Sequence, residues 1–514
     1  MMMETSFNLI DKPWIGAVTH GGRMTELSLH ELLAQAHELK SLHDDSPLVI
    51  AAEIRMLLAL LHRIYNGPAD RRAWGEIWRA GRFDMTKVDE YLGQWHDRFD
   101  LFDSQYPFYQ TLDIRADDTP KSVSTLLFDV SAGNNATLFN HTTDDTPIHL
   151  QPAAAARTVV ASQTFSLAGL CNPKLKLSFT DAAAARGISF YVGGNSLFET
   201  LMLNLIAYPA DRPFPSRPED APAWEQDNPF VPDRELPFGY LDYMTWQNRR
   251  IRLVSESQGD SIVVREIYVT PGLRLDPTMQ DKDPMKHYRI DKDRGHISLR
   301  FQENKAVWRD SATLLQLQAE DRQASANLSW IQDLSVGRYA VLNSQNAFRL
   351  MALGMASDQA KIAFFRSEYL PLPLEYLTSA ETVNQLRRAL TVAEQTASEL
   401  WRAAGTMAYI LLAPVEDGDS KPDPDEVRNV RDAMAVDRRF WAQLEPQFRR
   451  IMQAIPQDAD TALGEWVQWL RFYARDVFKQ VCAGLGDDPR ALKAVVRGGE
   501  QLERGLRKAL VIKD

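Results

Sequence analysis

From Thr378 to Leu510 the apolar residues return every three or four positions through four long segments: Thr378–Thr406, Glu426–Ile455, Asp460–Leu485 and Pro489–Leu510. That period puts one apolar stripe on each helix, and such a stripe must be buried against another element. The second segment has a weak point near Asp437. Pro456 to Asp460 and Gly484 to Pro489 are short turns. Helices joined so tightly lie antiparallel, so this stretch is expected to form a four-helix bundle. Val415 to Pro424 joins the first two segments and reads as a solvated connector. Its aspartates lack the spacing and terminal glutamate of a calcium loop.

The chain before the bundle is mixed. Leu27–Leu39, Pro47–Tyr65, Asp84–Phe99, Asn195–Ile206 and Lys305–Ala319 have helical spacing. Ile188–Val192, Arg250–Val254 and Ile262–Thr270 are β-branched or alternating runs that read as strands. Pro209–Pro232 holds seven prolines and reads as a long surface loop. At 514 residues the chain exceeds one ordinary core. The expected class is α+β: a large mixed α/β N-terminal domain, residues 1–370, followed by a C-terminal four-helix bundle, residues 371–514.

Composition narrows the function. Hydrophobic residues make up 45% and charged residues 25%, the balance of a soluble globular protein. No apolar run approaches the length of a membrane span, and Met1–Asp11 lacks the pattern of a signal peptide. The two cysteines, Cys171 and Cys482, stand far apart. They fit a reducing cytoplasm and exclude a cysteine-rich zinc site. A net charge of −11 argues against a stand-alone nucleic-acid binder, because phosphate contacts supply most of such affinity. It leaves room for local basic surfaces and for binding within a larger assembly.

Catalytic motifs are missing. There is no Gly-x-Ser-x-Gly elbow, no phosphate-binding glycine loop and no His-Glu-x-x-His. His43-Asp44-Asp45, Asp281-Lys282-Asp283 and Asp291-Lys292-Asp293 resemble metal ligands in composition, but helix-start or turn chemistry fits all three better. The rival reading is a metal-dependent hydrolase using His43, Asp44 and Asp45. Cys482 lies in an apolar helical stretch, where an inert thiol is the ordinary case.

Six phrases occur in a fixed order: Phe7-Asn8-Leu9-Ile10-Asp11-Lys12-Pro13-Trp14-Ile15, Tyr106-Pro107-Phe108-Tyr109-Gln110-Thr111, Leu138-Phe139-Asn140-His141, Tyr243 to Arg250, Asp283-Pro284-Met285, and Gly354 to Ala360. Together they resemble the CasA family, the large subunit of the type I-E CRISPR surveillance complex Cascade. The resemblance runs over roughly residues 7 to 500. It implies a non-catalytic subunit with no cofactor and no metal. Its partners would be CRISPR RNA, double-stranded target DNA, the backbone and small subunits of Cascade, and a helicase-nuclease recruited in trans. Trp14 and the Tyr106–Thr111 phrase read as core and scaffold.

The resemblance also implies site residues. Ser357-Asp358-Gln359-Ala360 is a polar tip between apolar runs. Gln359 matches a glutamine wedge that enters DNA beside the protospacer-adjacent motif (PAM), with Asp358 and Ala360 flanking it. Asp358 stands where an asparagine is expected. A minor-groove lysine finger has no lysine here; Arg274 is the nearest cation and Lys282 the second. Thr164–Lys174 occupies the position of a glycine loop that lies against the groove, but only Gly169 remains, beside Ala168, with Asn172 and Lys174 following. Leu138, Phe139, Asn140 and His141 match a segment that grips the 5′ handle of the guide RNA, through stacking and amide contacts. Arg249, Arg250 and Arg252 form a further patch for DNA phosphates or for ion pairs. In the bundle, Arg387, Arg388, Arg428, Arg431, Arg438, Arg439, Arg449, Arg450, Arg471, Arg475 and Lys479 are either a solvated face or a hold on the displaced strand.

Overall fold

The computed structural model describes residues 6–114, 119–128, 148–172, 177–207, 217–259, 261–279, 281–338, 340–343, 347–358, 361–413 and 421–511. They divide into two compact units. One comprises Met1–Glu303 and Leu317–Tyr369, the other Asn304–Gln316 and Leu370–Asp514.

The first unit is built around the helix Pro47–Tyr65, which matches its sequence pattern end to end. Proline in the first turn costs no hydrogen bond there, and Asn66 ends the helix in a left-handed conformation. The helix is apolar on nearly all sides, so most of its residues are buried. Its buried charge, Arg55, is paired: Nη1 donates to Asp283 Oδ2 at 2.7 Å and Nε to the Met244 carbonyl at 3.1 Å. Two of the phrases, Tyr243–Arg250 and Asp283-Pro284-Met285, are therefore joined to the central helix. Trp14 is fully buried and donates to the Leu9 carbonyl, and Phe108 and Tyr109 are buried, as core residues should be.

Small antiparallel sheets make up much of the rest of this unit. Arg249–Gln258 and Ser261–Pro271 form a long hairpin, edged by Lys121–Ser122. Phe348–Asp358 lies between Ile188–Gly193 and Lys361–Leu372. Gly169–Asn172 pairs with Leu177–Phe179. The Thr164–Lys174 segment is thus not a plain loop: helix Pro152–Phe165 runs into it, and a strand begins at Gly169. Leu170 pairs in register with Ser178, and the register shifts before Asn172 meets Leu177.

Other expectations shift. Leu27–Leu39 contains only the short helix Leu29–Ala34, started by a Ser28–Glu31 capping box. Lys305–Ala319 gives a 3-10 turn, Val307–Asp310, and a helix, Ser311–Leu315. The proline-rich segment is only partly surface. Within it Trp224 is buried and packs, tilted, with its ring centroid 5.6 Å from that of Phe99, which no solvated loop would do.

The second unit is helical: Ala380–Leu412, Pro424–Ala433, Val436–Ala454, Ala459–Cys482 and Pro489–Ala509. The second sequence pattern is split at Ala435, which adopts φ 50°. Trp466 is fully buried, and its indole donates to the Ala389 carbonyl at 2.9 Å. Trp308 stacks on Phe448 with ring centroids 4.4 Å apart, so residues of 304–316 complete the bundle core.

Candidate nucleic-acid interface

A cleft of about 400 Å³ opens in the first unit beside the Gly169 hairpin. Ala168 and Phe179 border one side; Arg186, Arg274, Lys286 and Arg300 supply cations. Of these lining residues, the sequence points to Ala168 and Arg274 only. They are about a hundred positions apart in the chain, and the fold brings them to one opening.

Ala168 is fixed through its backbone: its N–H donates to Asp181 Oδ1 at 2.7 Å. Asp181 is held in turn by Arg186, whose Nε donates to Oδ2 at 2.9 Å and Nη2 to Oδ1 at 3.1 Å. Arg186 Nη1 then donates to Ser357 Oγ at 2.6 Å. Ser357 lies one residue before the end of the Phe348–Asp358 strand. One guanidinium therefore touches both the Ala168 support and the stem of the expected wedge.

Lys286 steadies this arrangement from below. Its ammonium donates to the carbonyls of Arg186 at 2.7 Å and Ala183 at 3.3 Å. Burial pushes its pKa down to about 8, against the attraction of Asp283. Its charge faces backbone carbonyls, so it is a support and not a DNA contact.

Arg274 is exposed, with a long ion pair to Glu235 at 3.8 Å. It can extend toward a ligand at little cost. Lys282 pairs with its neighbour Asp281 at 3.5 Å and does not line the cleft. Gly169 is half-buried at the start of its strand, and a side chain there would meet nothing within 4 Å. Its smallness is not demanded by packing among the described residues. Asn172 pairs in backbone register with Leu177. Lys174, Gln359, Ala360 and the segment Leu138, Phe139, Asn140 and His141 lie outside the described residues, as does the side chain of Asp358.

Arg249 must be reassigned. It is buried, stacks 4.2 Å over Phe179, and donates to the carbonyls of Leu167 at 2.8 Å and Thr180 at 2.9 Å. Burial draws its pKa down to about 10, opposed by Asp181. It clamps the base of the Gly169 hairpin and is closed to phosphate. Arg250 bonds the Pro271 carbonyl and covers Phe230, while Arg252 is exposed. In the bundle, Arg475 pairs with Glu503 at 2.7 Å and Arg449 with Glu445 at 2.7 Å, whereas Arg438, Arg439, Arg471 and Lys479 face solvent.

The residues of the rival hydrolase do not assemble a metal centre. Asp44 accepts from the Ser46 N–H at 2.8 Å and lies 3.3 Å from Arg157. Among the described residues no three His, Cys, Asp or Glu side chains are placed to share a metal ion. No helix among them is long and apolar enough to cross a membrane.

Sequence reasoning does not reach Arg186, Lys286 and Arg300. A signal for the first is present: a run of four alanines, Ala182 to Ala185, ending in Arg186-Gly187. Such small residues allow a tight turn to press against its neighbours.

The fold agrees with what comparison finds. The family model for CRISPR-associated protein Cse1 matches residues 8–477. The CasA/Cse1 protein of Thermus thermophilus is 33% identical over 506 residues, 97% of each chain. A crystal structure of Thermus thermophilus CasA superposes with a TM-score of 0.80 at 29% identity, covering 98% of this chain and 100% of that one. Cse1 from Acidimicrobium ferrooxidans gives a TM-score of 0.82 at 26% identity, with 99% of both chains covered. A chain of a CRISPR RNA-guided surveillance complex shares the fold, with a TM-score of 0.73 at 22% identity over 97% of this chain and 99% of that one. The chain is a CRISPR-associated protein. It belongs to the Cse1 family, which includes the Thermus CasA/Cse1 protein.

Proposed function

We propose that this chain is the PAM-reading large subunit of a type I-E RNA-guided surveillance complex, and a binding protein without catalysis of its own. The observation that carries the reading is the basic cleft. It has Ala168 and the exposed Arg274 on one opening, and Arg186 in its wall reaches Ser357 near the end of a strand. Membership of the Cse1 family supports it, as does the sharing of this fold by a chain of an RNA-guided surveillance complex.

The geometry suits the minor groove. The small residues Ala168 and Gly169 let backbone approach base edges, and Arg274 offers donors to a groove whose A·T pairs show only acceptors. A guanidinium also fits the narrow, negative grooves of A·T-rich DNA. After this contact, Gln359 would enter the first step of the duplex. Opening one step costs roughly a few kcal/mol, and an amide replaces part of the lost base-edge hydrogen bonding. Guide pairing then reads the target sequence. In this reading residues 1–370 hold the PAM site and the guide-RNA contact at Leu138–His141. The bundle, residues 371–514, meets neighbouring subunits and the displaced strand, with Arg438, Arg439, Arg471 and Lys479 as its open cations. Cutting falls to a helicase-nuclease that the complex recruits.

The test is binding of PAM-bearing and PAM-free duplexes by the assembled complex. Arg274→Ala should lose about 1–3 kcal/mol on PAM-bearing DNA and far less on PAM-free DNA. Arg252→Ala, an exposed arginine outside the cleft, should lose little on either. Equal losses for both arginines on both DNAs would remove Arg274 from PAM reading.

A further inference from the structure

We infer that Arg186 is a positioning residue: it holds the Ala168 backbone and the Ser357 hairpin stem in one register, so that groove contact and strand opening fall on adjacent DNA steps. This rests on the PAM-reading function proposed above.

The chain of contacts is continuous. Asp181 accepts from the Ala168 N–H, Arg186 clasps both oxygens of Asp181, and the remaining arm of Arg186 reaches Ser357 Oγ. The turn carrying Arg186 is fastened at several points. Ala182 N–H donates to the Ser166 carbonyl at 2.8 Å and Ala184 N–H to the Thr164 carbonyl at 3.1 Å. Lys286 holds the Arg186 carbonyl. Behind Arg186 the backbone is crowded. Gly187 has φ 92°, and a side chain on Gly354 would fall 2.8 Å from the Gly187 carbonyl. That close approach sets the pairing of Gly354 with Ile188, and with it the place where the Phe348–Asp358 strand delivers Ser357.

Stability does not explain the arrangement. The side chains of Arg186 and Asp181 are each 26% exposed, and a partly screened ion pair makes a modest contribution to folding. What the fork geometry gives is direction: a planar guanidinium with its donors in fixed relation ties two separate segments to one frame. Misplacing reacting groups by about 1 Å can cost about a hundredfold in rate. A wedge set against a bound groove has the same sensitivity.

The experiment uses the assembled complex with Arg186→Ala, Ser357→Ala, the double variant and Arg186→Lys. R-loop rates are measured on a PAM-bearing duplex, fully paired or with a bubble beside the PAM, and on a PAM-free duplex. Each alanine variant should slow opening of paired DNA by about 10- to 100-fold. The double variant should be no slower than Arg186→Ala, because both cut one connection. The bubble should restore the wild-type rate. Arg186→Lys should stay slow, since an ammonium cannot clasp Asp181 and reach Ser357 together. Ser357→Ala removes a single hydroxyl and keeps the result readable if Arg186→Ala fails to fold. Wild-type rates for both single variants, equal slowing on paired and bubbled DNA, or additive losses would each overturn the inference. If the wild-type complex opens PAM-bearing and PAM-free DNA alike, the underlying function falls, and this inference with it. PAM-dependent wild type with unaffected variants sinks this inference alone.

Discussion

Glu53 lies on the central helix with neither carboxylate oxygen hydrogen-bonded among the described residues. Burial lifts its pKa well above the glutamate range, and Asp44 adds to the effect. The native state therefore keeps this proton at pH values where the unfolded chain has lost it. Its stabilising contribution is present below the ordinary glutamate pKa and is lost as pH rises from there. Glu53→Gln removes that loss. Thermal unfolding should show the variant close to wild type near pH 4 and more stable by about 1–3 kcal/mol at pH 8. A gain that is the same at both pH values would mean that ionisation is not the cause. Neither Glu53 nor the difference between Arg249 and Arg274 is legible in the sequence. Arg249 adjoins one strand-like run and Arg274 follows another across Pro271-Gly272, and neither setting says which side chain is buried. Only the fold decides that Arg249 meets the Leu167 and Thr180 carbonyls while Arg274 meets solvent.

Elements are easier to read than residues where one period runs long. Pro47–Tyr65 and the last helix, Pro489–Ala509, are close to their sequence patterns because proline and polar caps mark their starts. The break at Ala435 is placed only approximately by the sequence, near Asp437, since alanine gives no hint of a left-handed conformation. The Gly169 strand reads as a loop in the sequence because its partner, Leu177–Phe179, is a mere three residues long. Within the bundle, contact between the first and last helices is close. A side chain on Gly498 would fall 2.5 Å from Cγ of Met407, a fully buried residue. Gly498→Val should destabilise the protein by about 1–3 kcal/mol through overpacking, read as a lower midpoint in thermal or urea unfolding. An unchanged midpoint would show that the two helices can part without penalty.

At the scale of the whole molecule, the net charge of −11 and the basic cleft belong together. An acidic chain with a small cationic opening holds DNA poorly by general attraction. Under the proposed function, it suits a subunit that inspects a short motif while guide RNA and partner subunits supply the remaining affinity. The ordered phrases reveal the family because they are spread along the chain in a fixed order. They cannot reveal the cleft. Ala168, Arg186, Arg274 and Ser357 come from four separate segments, and their meeting follows from the fold. The most direct test of the account is the rate of R-loop formation by the assembled complex carrying Gln359→Ala, on a fully paired target and on one pre-melted beside the PAM. The account predicts slow opening of the paired target, with PAM binding nearly intact, and the wild-type rate on the pre-melted one, because the protein no longer has to open that step. A variant equally slow on both targets would contradict it.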